Sequence, residues 1–278
     1  MYFRPRSLPE AVETLSRHGG QVLSGGTDFF PALGDRPMPP SVVDLSGVAE
    51  LRGISTDAEC IRIGGLTTWT EILRAPLPRC CDALKAAARD VGSIQIQNRG
   101  TLAGNLCNAS PAADGVPPLL ALDAELELTS IAGVRRMPLS HFLVGNRKTA
   151  RRGDEVLSAV IVPRGLDEAR SAFLKLGARR YLVISIAMVA AVLKSDGEGR
   201  VGQARVAVGS CSVTAQRLPQ LESALAGAPC KPGIGEVAGP GHLAALSPID
   251  DVRATAAYRR DAALTLVRRA LEACVEDR

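Results

Sequence analysis

A short apolar strand that runs without a break into two glycines and a threonine constrains this chain more than any other feature. Gln21-Val22-Leu23-Ser24 has the residue types of a short buried strand, and it leads directly into Gly25-Gly26-Thr27-Asp28. Glycines at such a point let the backbone turn tightly. They also remove the Cβ atoms that would keep a phosphate away from backbone N–H groups. From Gly20 to Thr27 the run reads G-x-x-x-x-G-G-T, close to a nucleotide-binding P-loop, but Gly26 stands where that motif needs its lysine. Without the lysine there is no clamp on the β- and γ-phosphates. A dinucleotide G-x-G-x-x-G is missing both here and at Gly100-Thr101-Leu102-Ala103-Gly104. Ordinary Rossmann and nucleoside-triphosphatase readings therefore fail. On its own, the first loop reads better as a tight turn with no ligand.

A second glycine-bearing stretch changes that balance. Arg99 to Asp114 combines small residues, hydroxyls, amides and one carboxylate, with no clear periodicity from Gly100 to Asn108. A pyrophosphate needs donors without negative charge beside them, and Thr101, Gly104 and Asn105 supply that chemistry. Asp114 suits either of two tasks: accepting from a ribose or ribityl hydroxyl, or capping the helical segment that follows.

The rest of the chain sets the frame for these loops. Its 278 residues predict two domains, and 46% hydrophobic content with a net charge of +4 excludes disorder. Ser7-Leu8-Pro9-Glu10 predicts the start of a helix, with Ala11, Val12 and Leu15 on one face and His18-Gly19-Gly20 ending it. Strands are expected at Ser41–Leu45, Cys60–Gly64 and Ala124–Ser130, the last with Arg135–Pro138 as its hairpin partner. Asp82–Val91 reads as a helix. A boundary is expected near Pro163-Arg164-Gly165. Beyond it, strands at Ala172–Leu176, Ile184–Leu193 and Ala204–Val208 precede helices at Leu218–Ala226 and Thr255–Ala273, the order of an α+β domain.

Several function classes drop out. Aromatic residues make up only 3%, and the paired arginines are scattered, so no nucleic-acid footprint is present. The longest uncharged apolar run, Tyr181 to Leu193, is too short to span a bilayer. The start of the chain has no apolar leader, and seven cysteines without a C-x-x-C predict reduced thiols in the cytoplasm. No metal site and no catalytic acid–base set can be read. His18, His141 and His242 lie far apart, and Cys107 lacks a cationic neighbour and reads as a small packed residue.

Taken together, these residues resemble the FAD-binding medium subunit of the molybdenum hydroxylases, the family of carbon monoxide dehydrogenase and bacterial xanthine dehydrogenase. The resemblance rests on Leu23-Ser24-Gly25-Gly26-Thr27-Asp28 with Pro31, on Val43-Asp44-Leu45 and on Ile63-Gly64-Gly65-Leu66-Thr67-Thr68. It is strongest from Ile94 to Asp114, and it continues through Phe173-Leu174-Lys175, Arg179-Arg180 and Ile184-Ser185-Ile186-Ala187. It implies an α+β chain: a two-subdomain FAD-binding fold of the type shared by vanillyl-alcohol oxidase-like flavoproteins, then a C-terminal α+β domain with a small antiparallel sheet. The expected limits are 1–165 for the FAD-binding domain, with subdomains about 1–55 and 56–165, and 166–278 for the C-terminal domain.

The same resemblance implies FAD rather than FMN, its pyrophosphate held between Leu23, Ser24, Gly25, Gly26, Thr27, Asp28, Phe29 and Phe30 and the span Thr101, Leu102, Ala103, Gly104 and Asn105. Asn108 and Asp114 line the cofactor, Val156 gives a backbone contact beneath the flavin, and Phe173 and Lys175 lie near the isoalloxazine. Ala103 departs from the glycine of many members. The implied function is electron transfer from the [2Fe–2S] clusters of a small partner subunit, through FAD, to an external acceptor. A large molybdopterin-containing subunit completes the complex. Two alternatives stay open: an autonomous FAD-dependent reductase of the wider fold, and a non-catalytic assembly module. From the residues alone, Lys175 also reads as a surface lysine on an edge strand, and Trp69 as packing between subdomains.

Overall fold

The computed structural model describes residues 1–276. Local signals decide its first elements. After strand β1 (Tyr2–Phe3), the Ser7 hydroxyl accepts from the Glu10 amide at 3.3 Å and caps helix α1 (Leu8–His18), which stops at Gly19 with φ +57°. Strand β2 (Gln21–Leu23), helix α2 (Phe29–Leu33), strands β3 (Val42–Asp44), β4 (Ile54–Thr56) and β5 (Cys60–Gly64), and helix α3 (Trp69–Arg74) follow. Thr68 and Glu71 form a capping box that starts α3. Then come α4 (Asp82–Asp90), α5 (Ile94–Arg99), α6 (Leu102–Asn108) and α7 (Val116–Ala121), and β6 (Glu125–Ser130) with β7 (Gly133–Pro138). After the short α8 (Leu139–Phe142), β8 (Leu143–Gly145), β9 (Lys148–Thr149) and β10 (Val156–Pro163) complete the first half. The rest is β11 (Arg170–Leu176), β12 (Ala187–Ser195), β13 (Val201–Gly209), β14 (Gln216–Arg217), α9 (Pro219–Leu225) and α10 (Ala256–Val275).

These elements form two compact units. The first comprises Met1–Ala75, Ile94–Ala109 and Ala124–Pro163; the second takes Pro76–Ser93, Ser110–Asp123 and the chain from Arg164 onward. In the first unit a parallel sheet, order β1-β3-β2, is covered by α1, whose Ala11, Val12 and Leu15 pack with Val43, Leu45, Leu66 and Val156. Burying each of these valine and leucine side chains stabilises by roughly 1.5–3 kcal/mol. A five-stranded antiparallel sheet, order β4-β5-β10-β6-β7, completes this unit, with the apolar β10 at its centre.

In the second unit a four-stranded antiparallel sheet, order β11-β12-β13-β14, packs against α10. That helix buries Arg259, Ala263, Leu266, Ala270 and Cys274 at helical spacing, and the Thr255 hydroxyl caps it by accepting from the Tyr258 amide. Arg259 is fully buried: its guanidinium donates to Asp251 and to the Ile186 and Ser210 carbonyls. The fold is α+β, with the small antiparallel sheet in the C-terminal half. No helix among the described residues is long and apolar enough to cross a membrane.

Candidate functional site

The two glycine-bearing stretches meet in the first unit. Ser24 Oγ lies 2.8 Å from Thr101 Oγ1, and beside it the backbones of the two loops approach closely. A Cβ on Gly25 would fall 2.0 Å from the Arg99 carbonyl oxygen and 3.0 Å from Gly100 Cα, so only glycine fits. Gly100 in turn leaves 3.3 Å to Thr27 Oγ1 and to Trp69 Cδ1 for its own missing Cβ. Trp69, 1% exposed, packs on this junction and donates its amide to the Gly100 carbonyl. Gly26 turns with φ +78° above the Phe30 ring, which packs edge-on against Phe29 and is 54% exposed.

The stretch from Gly100 to Asn108, expected as an aperiodic loop, is largely helical. Thr101 caps α6 by accepting from the Gly104 amide at 3.1 Å, and Leu102 and Leu106 are wholly buried one turn apart. The amides of Leu102, Ala103 and Asn105 donate to the carbonyls of Thr67, Gly65 and Thr101. Ala103 points inward, its methyl facing Gly65. By contrast, the amides of Gly25, Gly26 and Thr27 donate to no backbone carbonyl among the described residues. The first loop thus carries the uncommitted backbone donors, beside the hydroxyls of Ser24, Thr27 and Thr101. The second loop holds it in place. An electronegative group that needs neutral donors at close range fits this surface, as the pyrophosphate of FAD requires.

Asn108 and Val156 are further predicted residues of the first unit. Asn108 ends α6, and its side-chain oxygen accepts from Arg147. Val156 opens β10 opposite Thr129, its side chain in the core. The Val156 neighbourhood is braced by Glu155, whose carboxylate receives the Arg135 guanidinium at 2.5 and 2.9 Å and the Arg152 amide at 2.7 Å. The Arg135 contact holds the Glu155 carboxyl below the usual carboxylate range. Burial pushes the Cys107 thiol up to about 11, which keeps it from the reactive thiolate form.

Asp114, Phe173 and Lys175 come together in the second unit. Although β11 is an edge strand, Lys175 is not a surface lysine. Its side chain is 7% exposed, and Nζ donates to Asp114 Oδ2 at 2.8 Å and to the Asp90 carbonyl at 3.3 Å. The Ser185 hydroxyl donates to Asp114 Oδ1 at 3.1 Å. Burial pushes the Asp114 carboxyl upward, while Lys175 and Ser185 pull it back only in part. Asp114 does not cap the next helix: Gly115 occupies the cap position of α7, with no side-chain cap bond. Both Asp114 oxygens keep a free lone pair, so the residue retains the capacity to accept from a sugar-chain hydroxyl. Phe173, 6% exposed, lines an open cleft of about 510 Å³ with Asp90, Lys175, Arg179, Arg180 and Val183.

Sequence reasoning missed Arg147, Glu155, Arg135 and Ser185. The Asn146-Arg147 turn carried a local signal, since a tight β8–β9 hairpin demands a left-handed residue there. The others depend on partners distant in sequence.

Comparison with known proteins identifies the family. Residues 1–165 match the family described as the FAD binding domain in molybdopterin dehydrogenase, and residues 172–274 match the CO dehydrogenase flavoprotein C-terminal domain. The nicotinate dehydrogenase FAD-subunit of Eubacterium barkeri is 36% identical over 236 residues, covering 82% of this chain and 80% of its own. The putative xanthine dehydrogenase FAD-binding subunit of Escherichia coli (strain K12) is 32% identical and covers 99% of this chain and 95% of its own. Among solved structures, the reconstituted CO dehydrogenase from Oligotropha carboxidovorans superposes with a TM-score of 0.92 at 26% identity, covering 99% of this chain and 96% of its own. The chain belongs to the FAD-binding medium subunits of the molybdenum hydroxylases, flavin-dependent components of dehydrogenases.

Proposed function

We propose that the chain is an electron-transfer subunit: it receives electrons from the [2Fe–2S] clusters of a small partner subunit and delivers them to an external acceptor, with FAD as the carrier. A large molybdopterin-containing subunit performs the substrate chemistry, and the complex works in the cytoplasm, in keeping with seven unpaired cysteines. The observation that carries this reading is the joined pair of loops, with uncommitted amides at Gly25, Gly26 and Thr27. When bound, FAD supplies a carrier that takes up two electrons and releases them singly.

The chain's own residues then have defined tasks. Gly25, Gly26 and Thr27 donate backbone N–H groups to the pyrophosphate, with hydroxyl support from Ser24 and Thr101. Asp28, Phe29 and Phe30 continue that loop, and Leu102 to Asn105 fix its height. Asn108 donates its side-chain amide, Asp114 accepts from a sugar-chain hydroxyl, and Val156 offers its backbone to the flavin. Phe173 and Lys175 act at the isoalloxazine. A lone ammonium there would favour the reduced flavin, but Lys175 is paired with Asp114, so the two together present almost no net charge. Nothing in these tasks requires an acid or base for C–H cleavage.

The test is purification of the tagged chain from its own host. The reading expects an iron–sulfur subunit and a molybdopterin subunit to co-purify in fixed stoichiometry, with FAD released on denaturation. A chain recovered alone that turns over an organic substrate would contradict it.

A further inference from the structure

Asn108 has one neighbour that decides which way its amide points. The Arg147 guanidinium donates from Nη1 to Asn108 Oδ1, and a guanidinium offers donors only. The amide oxygen is therefore turned toward Arg147, and the NH2 group, with two donors, is turned away from it. The arginine is itself fixed. Its backbone amide donates to the Ala109 carbonyl at 2.9 Å, and both Arg147 and Ala109 hold left-handed backbone angles, φ +53° and +47°. The first is set by the β8–β9 hairpin turn and the second by the C-cap of α6, so the bond ties the hairpin to the end of that helix. At its other end, α6 is pinned by Thr101, which bonds both the Gly104 amide and Ser24. The helix that carries Asn108 is thus held at both ends, by Ser24 and by Arg147.

We infer that Arg147 is a positioning residue of the FAD site: it fixes the Asn108 side-chain amide so that the NH2 group is presented to a phosphate or carbonyl oxygen of the cofactor. This rests on the reading of α6 as part of that site. A bare amide rotates freely between its two orientations, and only one of them donates. Arg147 removes the other.

Substitutions at two positions separate positioning from simple bracing. Asn108→Asp keeps a partner for Arg147, now an ion pair, but replaces the two donors with an anion. The expected result is an apo-protein that melts at or above the wild-type temperature, with an FAD dissociation constant raised roughly tenfold or more. Arg147→Ala is expected to weaken FAD binding by roughly fivefold to tenfold, and Arg147→Lys to recover part of that loss, because a lysine also donates only. Fluorescence titration of FAD into the full-length chain reads both. Wild-type affinity in Asn108→Asp would overturn the inference, as would equal FAD affinity in Arg147→Ala and wild type. A wild-type chain that takes up no FAD would overturn the FAD reading itself, and this inference with it.

Discussion

The two units differ in how they build the places assigned above to the cofactor. In the first, the groups are neutral: backbone amides at Gly25, Gly26 and Thr27, with the hydroxyls of Ser24 and Thr101, held by a junction too tight for a Cβ on Gly25. In the second there is a buried ion pair, with Asp114 between Lys175 and Ser185 and the lysine also bonded to the Asp90 carbonyl. A site built from backbone depends on what is absent, the side chains of a few adjacent glycines. A site built from charge depends on what is paired, and its partners come from four separate segments. The first fails when something is added and the second when something is removed.

The largest effect should come from breaking the charged site. Lys175→Met leaves Asp114 buried without its cation, which costs about 3–5 kcal/mol. The double variant Lys175→Met/Asp114→Asn should recover much of that loss, and urea unfolding of the four proteins in the cycle measures the coupling. If the two single losses simply add, the pair is not coupled as described. In the backbone-built site, Gly25→Ala should cost about 1–3 kcal/mol through overpacking against the Arg99 carbonyl, and should empty the chain of flavin. Full flavin content in that variant would reduce the first loop to a turn.

The buried carboxylates sharpen the contrast through pH. Arg135 holds the Glu155 carboxyl below its ordinary value, so the stability it contributes is complete above the usual carboxylate range and is lost as pH falls through the lowered folded value. Burial raises the Asp114 carboxyl, so its charge carries a penalty at neutral pH that disappears as pH falls. The destabilisation caused by Glu155→Gln should therefore be larger at about pH 7 than at about pH 4, and that caused by Asp114→Asn smaller. Equal slopes in urea unfolding would contradict the opposite assignments. The smallest effect belongs to Ser185→Ala, about 1 kcal/mol for one hydrogen bond, with the Asp114 carboxyl titrating higher still in a carbon-detected NMR titration.

The same contrast explains how much could be read in advance. The first loop was legible because its constraint is local: a strand, two glycines and a threonine in a row. The cap at Ser7 was legible for the same reason. Helix α6 was not, because Gly104, Asn105 and Asn108 are poor helix formers and conceal the spacing of Leu102 and Leu106; burial of those two leucines decides the helix. Nor does the sequence reveal that Pro76–Ser93 and Ser110–Asp123 belong with the C-terminal half. Lys175 reads as an ordinary edge-strand lysine until Asp90, Asp114 and Ser185 are brought around it. Its proposed role near the flavin entered through family resemblance and its pairing through the structure.

The most direct test of the electron-transfer account follows the flavin absorbance of the FAD-loaded chain under anaerobic conditions. The account predicts no bleaching when purines, aldehydes or N-heterocycles are added to the chain alone, and rapid bleaching when a pre-reduced [2Fe–2S] partner subunit is added. Bleaching by any of those organic compounds without a partner, or none with the reduced partner, would contradict it.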